Sequence, residues 1–79
     1  MPSYDLVTEV LTREWRTVLG VPEVRENDEF FALGGNSLLA VTMMERVEAE
    51  LGFEFPLEAI FVDGTFGAVL TACHEASTE

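Results

Sequence analysis

Asp28-Glu29-Phe30-Phe31-Ala32-Leu33-Gly34-Gly35-Asn36-Ser37-Leu38-Leu39 is the stretch on which the reading of this 79-residue chain turns. Residues 20–36, which include its first part, lack apolar periodicity and hold charges, Pro22 and the Gly34-Gly35 pair, so they form a long connecting loop. Loops of that length are uncommon without a job. Phe30, Phe31 and Leu33 give this one enough apolar weight to be pinned to a core, which predicts an ordered loop. At Ser37 a periodic segment begins, so a hydroxyl stands at a helical N-terminus beside two glycines that permit close backbone approach. Exposed amides and the positive end of the helix dipole suit an anion at that point, and a phosphate ester on Ser37 would be well placed. By spacing alone, the plainer reading of the same serine is a helix cap.

Working outward, four helices are expected. Leu6, Val7, Val10, Leu11, Trp15, Val18 and Leu19 recur at helical spacing and predict a first helix from Tyr4 to Leu19 with Trp15 in the core. Ser3 or Asp5 caps its start, and Gly20, Val21 and Pro22 stop it. The second helix runs from Ser37 to Leu51 and ends at Gly52, with Ala40, Met43, Met44, Val47 and Leu51 inward. Leu38 and Val41 lie roughly 100° or more off that stripe, which turns them outward as apolar contacts. Pro56 opens a short third helix over Leu57–Asp63, and Thr65 caps a fourth that carries Phe66, Val69, Leu70 and Cys73 inward.

Size and charge narrow the function classes. Seventy-nine residues make a single domain, 1–79, whose core supplies a net stability of only ~3–5 kcal/mol. Fifteen acidic residues stand against four basic ones, all arginine, for a formal charge of -11. Arg13, Arg16, Arg25 and Arg46 are scattered, so nucleic acid and anionic membrane surfaces are excluded as partners, whereas proteins with a basic face are favoured. One cysteine, Cys73, permits no internal disulfide, Pro2-Ser3-Tyr4-Asp5 after Met1 does not read as a basic then apolar leader, and no apolar run approaches membrane-spanning length, so a cytoplasmic monomer is expected. Met1 and the short ends suit a free-standing protein, and equally a domain cut from a larger one.

Residue identity separates the readings of Ser37. The Phe-Phe-x-Leu-Gly-Gly-Asn-Ser-Leu run at positions 30–38, the long loop before it, the chain length and the acidity resemble the peptidyl carrier (thiolation) domains of nonribosomal peptide synthetases, in the acyl carrier protein superfamily. The resemblance implies an all-α four-helix bundle of three long helices and one short. It implies that a phosphopantetheinyl transferase, using coenzyme A and magnesium, attaches a 4'-phosphopantetheine arm to Ser37, with Gly34, Gly35 and Asn36 completing the site. Adenylation enzymes would load that arm with an amino or aryl acid, condensation or tailoring enzymes would visit it, and the domain itself would catalyse nothing. Fatty-acid and polyketide carriers more often place aspartate before the serine; Gly35-Asn36-Ser37 points instead to the peptidyl type. On the same resemblance Leu38 and Val41, with Phe61 and Val62 of the third helix, are partner-recognition residues. Asp63, Glu45 and Glu48 are expected to be plain solvated surface.

Other chemistry is poorly supported. Cys73 and His74 are sequence neighbours that point about 100° apart on a helix, so they make no nucleophile and base pair; Cys73 reads as a buried hydrophobe and His74 as a surface residue. One cysteine and one histidine are too few for a zinc site, and no metal is expected. Two competing readings remain: an acyl carrier for polyketide or fatty acyl chains, and an unmodified acidic helical module that binds a basic protein.

Overall fold

The computed structural model describes residues 2–78. In chain order it has α1 (Tyr4–Leu19), α2 (Ser37–Leu51), α3 (Glu58–Val62) and α4 (Phe66–Ser77). Three long helices, one short one and a long loop between the first two match the expected all-α architecture. Among the described residues the sole β pairing is an isolated antiparallel bridge between Glu29 and Thr65.

Local chemistry sets the helix ends. Ser3 is extended, and its hydroxyl accepts from the Leu6 amide at 3.1 Å, so it, not Asp5, caps α1. Gly20 and Gly52 end α1 and α2 in the left-handed conformation, at φ 69° and 75°. The Thr65 hydroxyl accepts from Ala68 N at 3.3 Å to start α4. α3 is one residue shorter at each end than expected: Leu57 and Asp63 have helical angles but lie just outside the helix as its flanking caps, and no side chain caps its start.

α1 packs across α2 and α4, and α3 packs against α4. At the centre, Trp15 is fully buried and meets Phe30 and Phe66 edge-on, with ring centroids 5.4 and 5.2 Å apart. Phe30 belongs to the long loop and is also fully buried. Burying one such side chain is worth roughly 1.5–3 kcal/mol, a large share of what so small a core can supply, so the loop is an integral part of the fold. Met44 and Leu70, expected inward, are half-buried at the edge of this core, and Cys73 is fully buried as expected.

Some expectations are corrected. Leu6 is exposed, because it lies about 140° from the centre of the stripe formed by Val7, Leu11 and Trp15. Glu14 falls between Val7 and Val10 on the buried face of α1; it is only 3% exposed and is paired with Arg46 of α2 and, at 3.5 Å, with Arg13. Glu48 is not plain surface: it is half-buried, and its carboxylate accepts from Phe55 N at 2.8 Å, fixing the chain after α2. Asp63 accepts from both the hydroxyl and the amide of Thr65, bonds that hold its carboxyl below the usual range. Glu45 is exposed and makes no ion pair among the described residues. His74 is half-buried, stacked on Tyr4 with ring centroids 3.7 Å apart.

Candidate functional site

The loop that leads to Ser37 is fastened to the junction of α3 and α4. Phe30 N donates to Gly64 O at 2.8 Å, Phe66 N to Asp28 O at 2.8 Å and Gly67 N to Glu26 O at 2.9 Å. These bonds hold the loop against the far helices while Phe30 is driven under Trp15. A tight turn follows. The Glu29 carboxylate accepts from Ala32 N at 2.7 Å, Leu33 N donates to Glu29 O at 3.1 Å, and Gly35 N donates to Phe30 O at 3.0 Å.

The two glycines serve different needs. Gly34 has φ 98°, a conformation that a residue with a side chain rarely adopts. Gly35 is required for space: a Cβ there would stand 2.3 Å from Phe30 Cδ2 and 2.6 Å from the Phe30 carbonyl oxygen.

Asn36 then turns the chain into α2. Its backbone is extended, at φ -149° and ψ 179°, and its side-chain oxygen accepts from Leu39 N at 2.9 Å. The cap of α2 is therefore Asn36 and not Ser37, which corrects the plainer reading of the serine. Ser37 is the first helical residue; it is exposed, and its hydroxyl has no hydrogen-bond partner among the described residues. The first turn of α2 carries no acidic residue, so the positive end of the helix dipole is uncompensated beside that hydroxyl.

The expected interface residues lie on the surface. Leu38 is 74% exposed, Val41 37%, Phe61 50% and Val62 85%. The difference between Leu38 and Val41 follows their angular distance from the buried stripe of α2. Phe31 of the loop borders the second group, since its ring lies 5.6 Å from that of Phe61.

Among the described residues no side chain is hydrogen-bonded to the Ser37 hydroxyl as a general base. His74 is held elsewhere by Tyr4 and lies 3.2 Å from the Thr8 hydroxyl. Burial pushes the Cys73 thiol up to about 12, so it is unreactive at neutral pH. Among the described residues no group of three or more His, Cys, Asp or Glu side chains could hold a metal ion. What the site offers is an accessible primary hydroxyl, on a rigid turn, at the anion-favouring end of a helix. These features fit a covalently attached phosphate-bearing group: the oxygen is free to form the ester, and the helix end stabilises the resulting charge.

Comparisons with known proteins agree. Residues 9–73 match the family model described as the phosphopantetheine attachment site. Malpibaldin synthetase of Mortierella alpina is 45% identical over 62 residues, 78% of this chain and 1% of that protein. Surfactin synthase subunit 3 of Bacillus subtilis is 38% identical over 61 residues, 77% of this chain and 5% of that protein. Gramicidin S synthase 2 of Brevibacillus brevis is 41% identical over 68 residues, 86% of this chain and 2% of that protein. The chain thus spans only a small part of the length of these relatives. Among solved structures, BlmI, a type-II acyl-carrier-protein from Streptomyces verticillus involved in bleomycin biosynthesis, superposes with a TM-score of 0.78 at 25% identity, covering 91% of this chain and 87% of that one. Fold, motif and match together establish that the chain belongs to the phosphopantetheine attachment site family, whose members bear a covalent 4'-phosphopantetheine arm.

Proposed function

We propose that Ser37 is the attachment point of the arm and that residues 1–79 act as one carrier domain of nonribosomal peptide biosynthesis, tethering an aminoacyl, peptidyl or aryl group as a thioester. The observation that carries this reading is the uncommitted, exposed Ser37 hydroxyl at the start of α2, within the segment matched by the family model. The Ser37 oxygen forms the new bond to phosphorus, the pyrophosphate bond of coenzyme A breaks, and its adenosine bisphosphate half leaves. The proton of the hydroxyl passes to a base of the transferase, since no side chain among the described residues is hydrogen-bonded to it. Gly34 and Gly35 set the turn and Asn36 the cap that present the hydroxyl.

The domain catalyses nothing. It works as a monomer in the cytoplasm, and the arm's thiol is loaded by an adenylation enzyme and visited by condensation or tailoring enzymes. Leu38, Val41, Phe61 and Val62 form the apolar part of the surface these enzymes meet, and the charge of -11 speeds encounter with basic faces. Among the described residues no helix is long and apolar enough to cross a membrane.

The test is loading. The arm-bearing chain, incubated with an adenylation enzyme, ATP and its amino or aryl acid, gains an acyl group that hydroxylamine releases. Loading only by an acyltransferase from acyl-coenzyme A would favour polyketide or fatty acyl cargo instead. A chain that a phosphopantetheinyl transferase leaves without an arm would favour the unmodified interaction module.

A further inference from the structure

We propose that Asn36 is a positioning residue for arm attachment, which keeps the Ser37 hydroxyl reactive by occupying the cap that the serine would otherwise take; this rests on Ser37 being the attachment point. The start of α2 leaves amides in need of an acceptor, and Asn36 meets that need twice, through its side-chain oxygen to Leu39 N at 2.9 Å and its backbone oxygen to Ala40 N at 2.9 Å. Upstream there is no substitute, because the two preceding residues are Gly34 and Gly35 and have no side chains. Gly35 cannot acquire one without striking Phe30. If the Asn36 side-chain oxygen is removed, the nearest remaining side-chain acceptor is therefore the Ser37 hydroxyl itself.

Serine is as good a helix cap as asparagine. Without Asn36, Ser37 relaxes into the extended backbone of a cap, α2 shortens by one residue, and the hydroxyl turns back to accept from the helix amides. In that state its oxygen is engaged and directed along the helix, away from an incoming phosphate. An aspartate at position 36 keeps the acceptor and so leaves Ser37 free.

The experiment measures the steady-state rate at which a broad-specificity transferase modifies the parent chain, Asn36→Ala and Asn36→Asp, with coenzyme A saturating and carrier concentration varied. Since a cap changes an equilibrium by roughly fivefold, Asn36→Ala is expected to lose about fivefold in kcat with little change in KM, because the docking residues Leu38 and Val41 remain on α2. Asn36→Asp is expected to recover the parent kcat. Equal kcat for parent and Asn36→Ala overturns the inference, as does a loss expressed wholly in KM, which would mark Asn36 as a contact for the transferase, and so does an Asn36→Asp variant as slow as Asn36→Ala. A parent chain that is never modified overturns the attachment reading itself, and the inference with it.

Discussion

Replacing Gly35 by alanine should cost this domain half or more of its stability. The added Cβ would lie 2.3 Å from Phe30 Cδ2 and 2.4 Å from Cε2, whereas carbon atoms in contact sit about 3.5–4.0 Å apart. More than an ångström must therefore be gained. The Phe30 ring has little room to yield, since it is fully buried with Trp15 and Phe31 at centroid distances of 5.4 and 5.7 Å. Moving the backbone instead breaks the 3.0 Å bond from Gly35 N to Phe30 O. Overpacking of this kind costs about 1–3 kcal/mol and the hydrogen bond about 0.5–1.5 kcal/mol more. Against a net stability of ~3–5 kcal/mol, that leaves a marginal fold. Urea unfolding followed by Trp15 fluorescence measures the effect; with a slope of about 1 kcal/mol/M, the midpoint should fall by about 2–4 M. Gly34→Ala is the control, because no atom lies within 4 Å of its Cβ and only the strain of φ 98° is incurred, about 1–2 kcal/mol. A Gly35→Ala midpoint close to the parent's, or a larger loss in Gly34→Ala, would refute the close-packing argument.

Four further outcomes are expected. Leu38→Ala or Val41→Ala should impair loading or transfer while leaving stability within about 0.5 kcal/mol, and a large fall in Tm would place these side chains in the core. Glu14→Gln should destabilise by about 1.5–3 kcal/mol in urea titration, because it removes charge-assisted bonds to Arg46 and Arg13; the full cost of breaking a buried ion pair is not expected, since the side chain of Arg46 is 49% exposed and can hydrate. Cys73 should resist thiol reagents at pH 8 until the chain unfolds; rapid labelling of the folded protein would contradict its burial. The fold favours the neutral thiol, so the stability it lends is full below its ordinary value near 9 and is lost as pH rises from there toward about 12, a fall that Cys73→Ala should lack in pH-dependent urea titrations.

Much of this was legible in the sequence because the strongest signals are local. Ser3, Thr65, Gly20 and Gly52 announce helix ends through their own backbone chemistry, and helical spacing alone turns Leu38 outward. What escaped depends on tertiary partners. Glu14 lies at helical spacing from Val7, Val10 and Leu11, so its place in the buried stripe was readable, but its charge argued against burial until Arg46 was brought across from α2. Glu48 likewise gains its role only when Phe55 N meets it, and Asp63 when Thr65 folds back. At the site, spacing could not choose between Asn36 and Ser37 as the cap, since both residues suit it; only the extended backbone of Asn36 decides.

The most direct test of the account is the intact mass of the chain after incubation with coenzyme A, magnesium and a phosphopantetheinyl transferase. One phosphopantetheine addition is expected, located on Ser37 by fragmentation and absent from Ser37→Ala. An unchanged mass in the parent, or an addition that persists in Ser37→Ala, would contradict it.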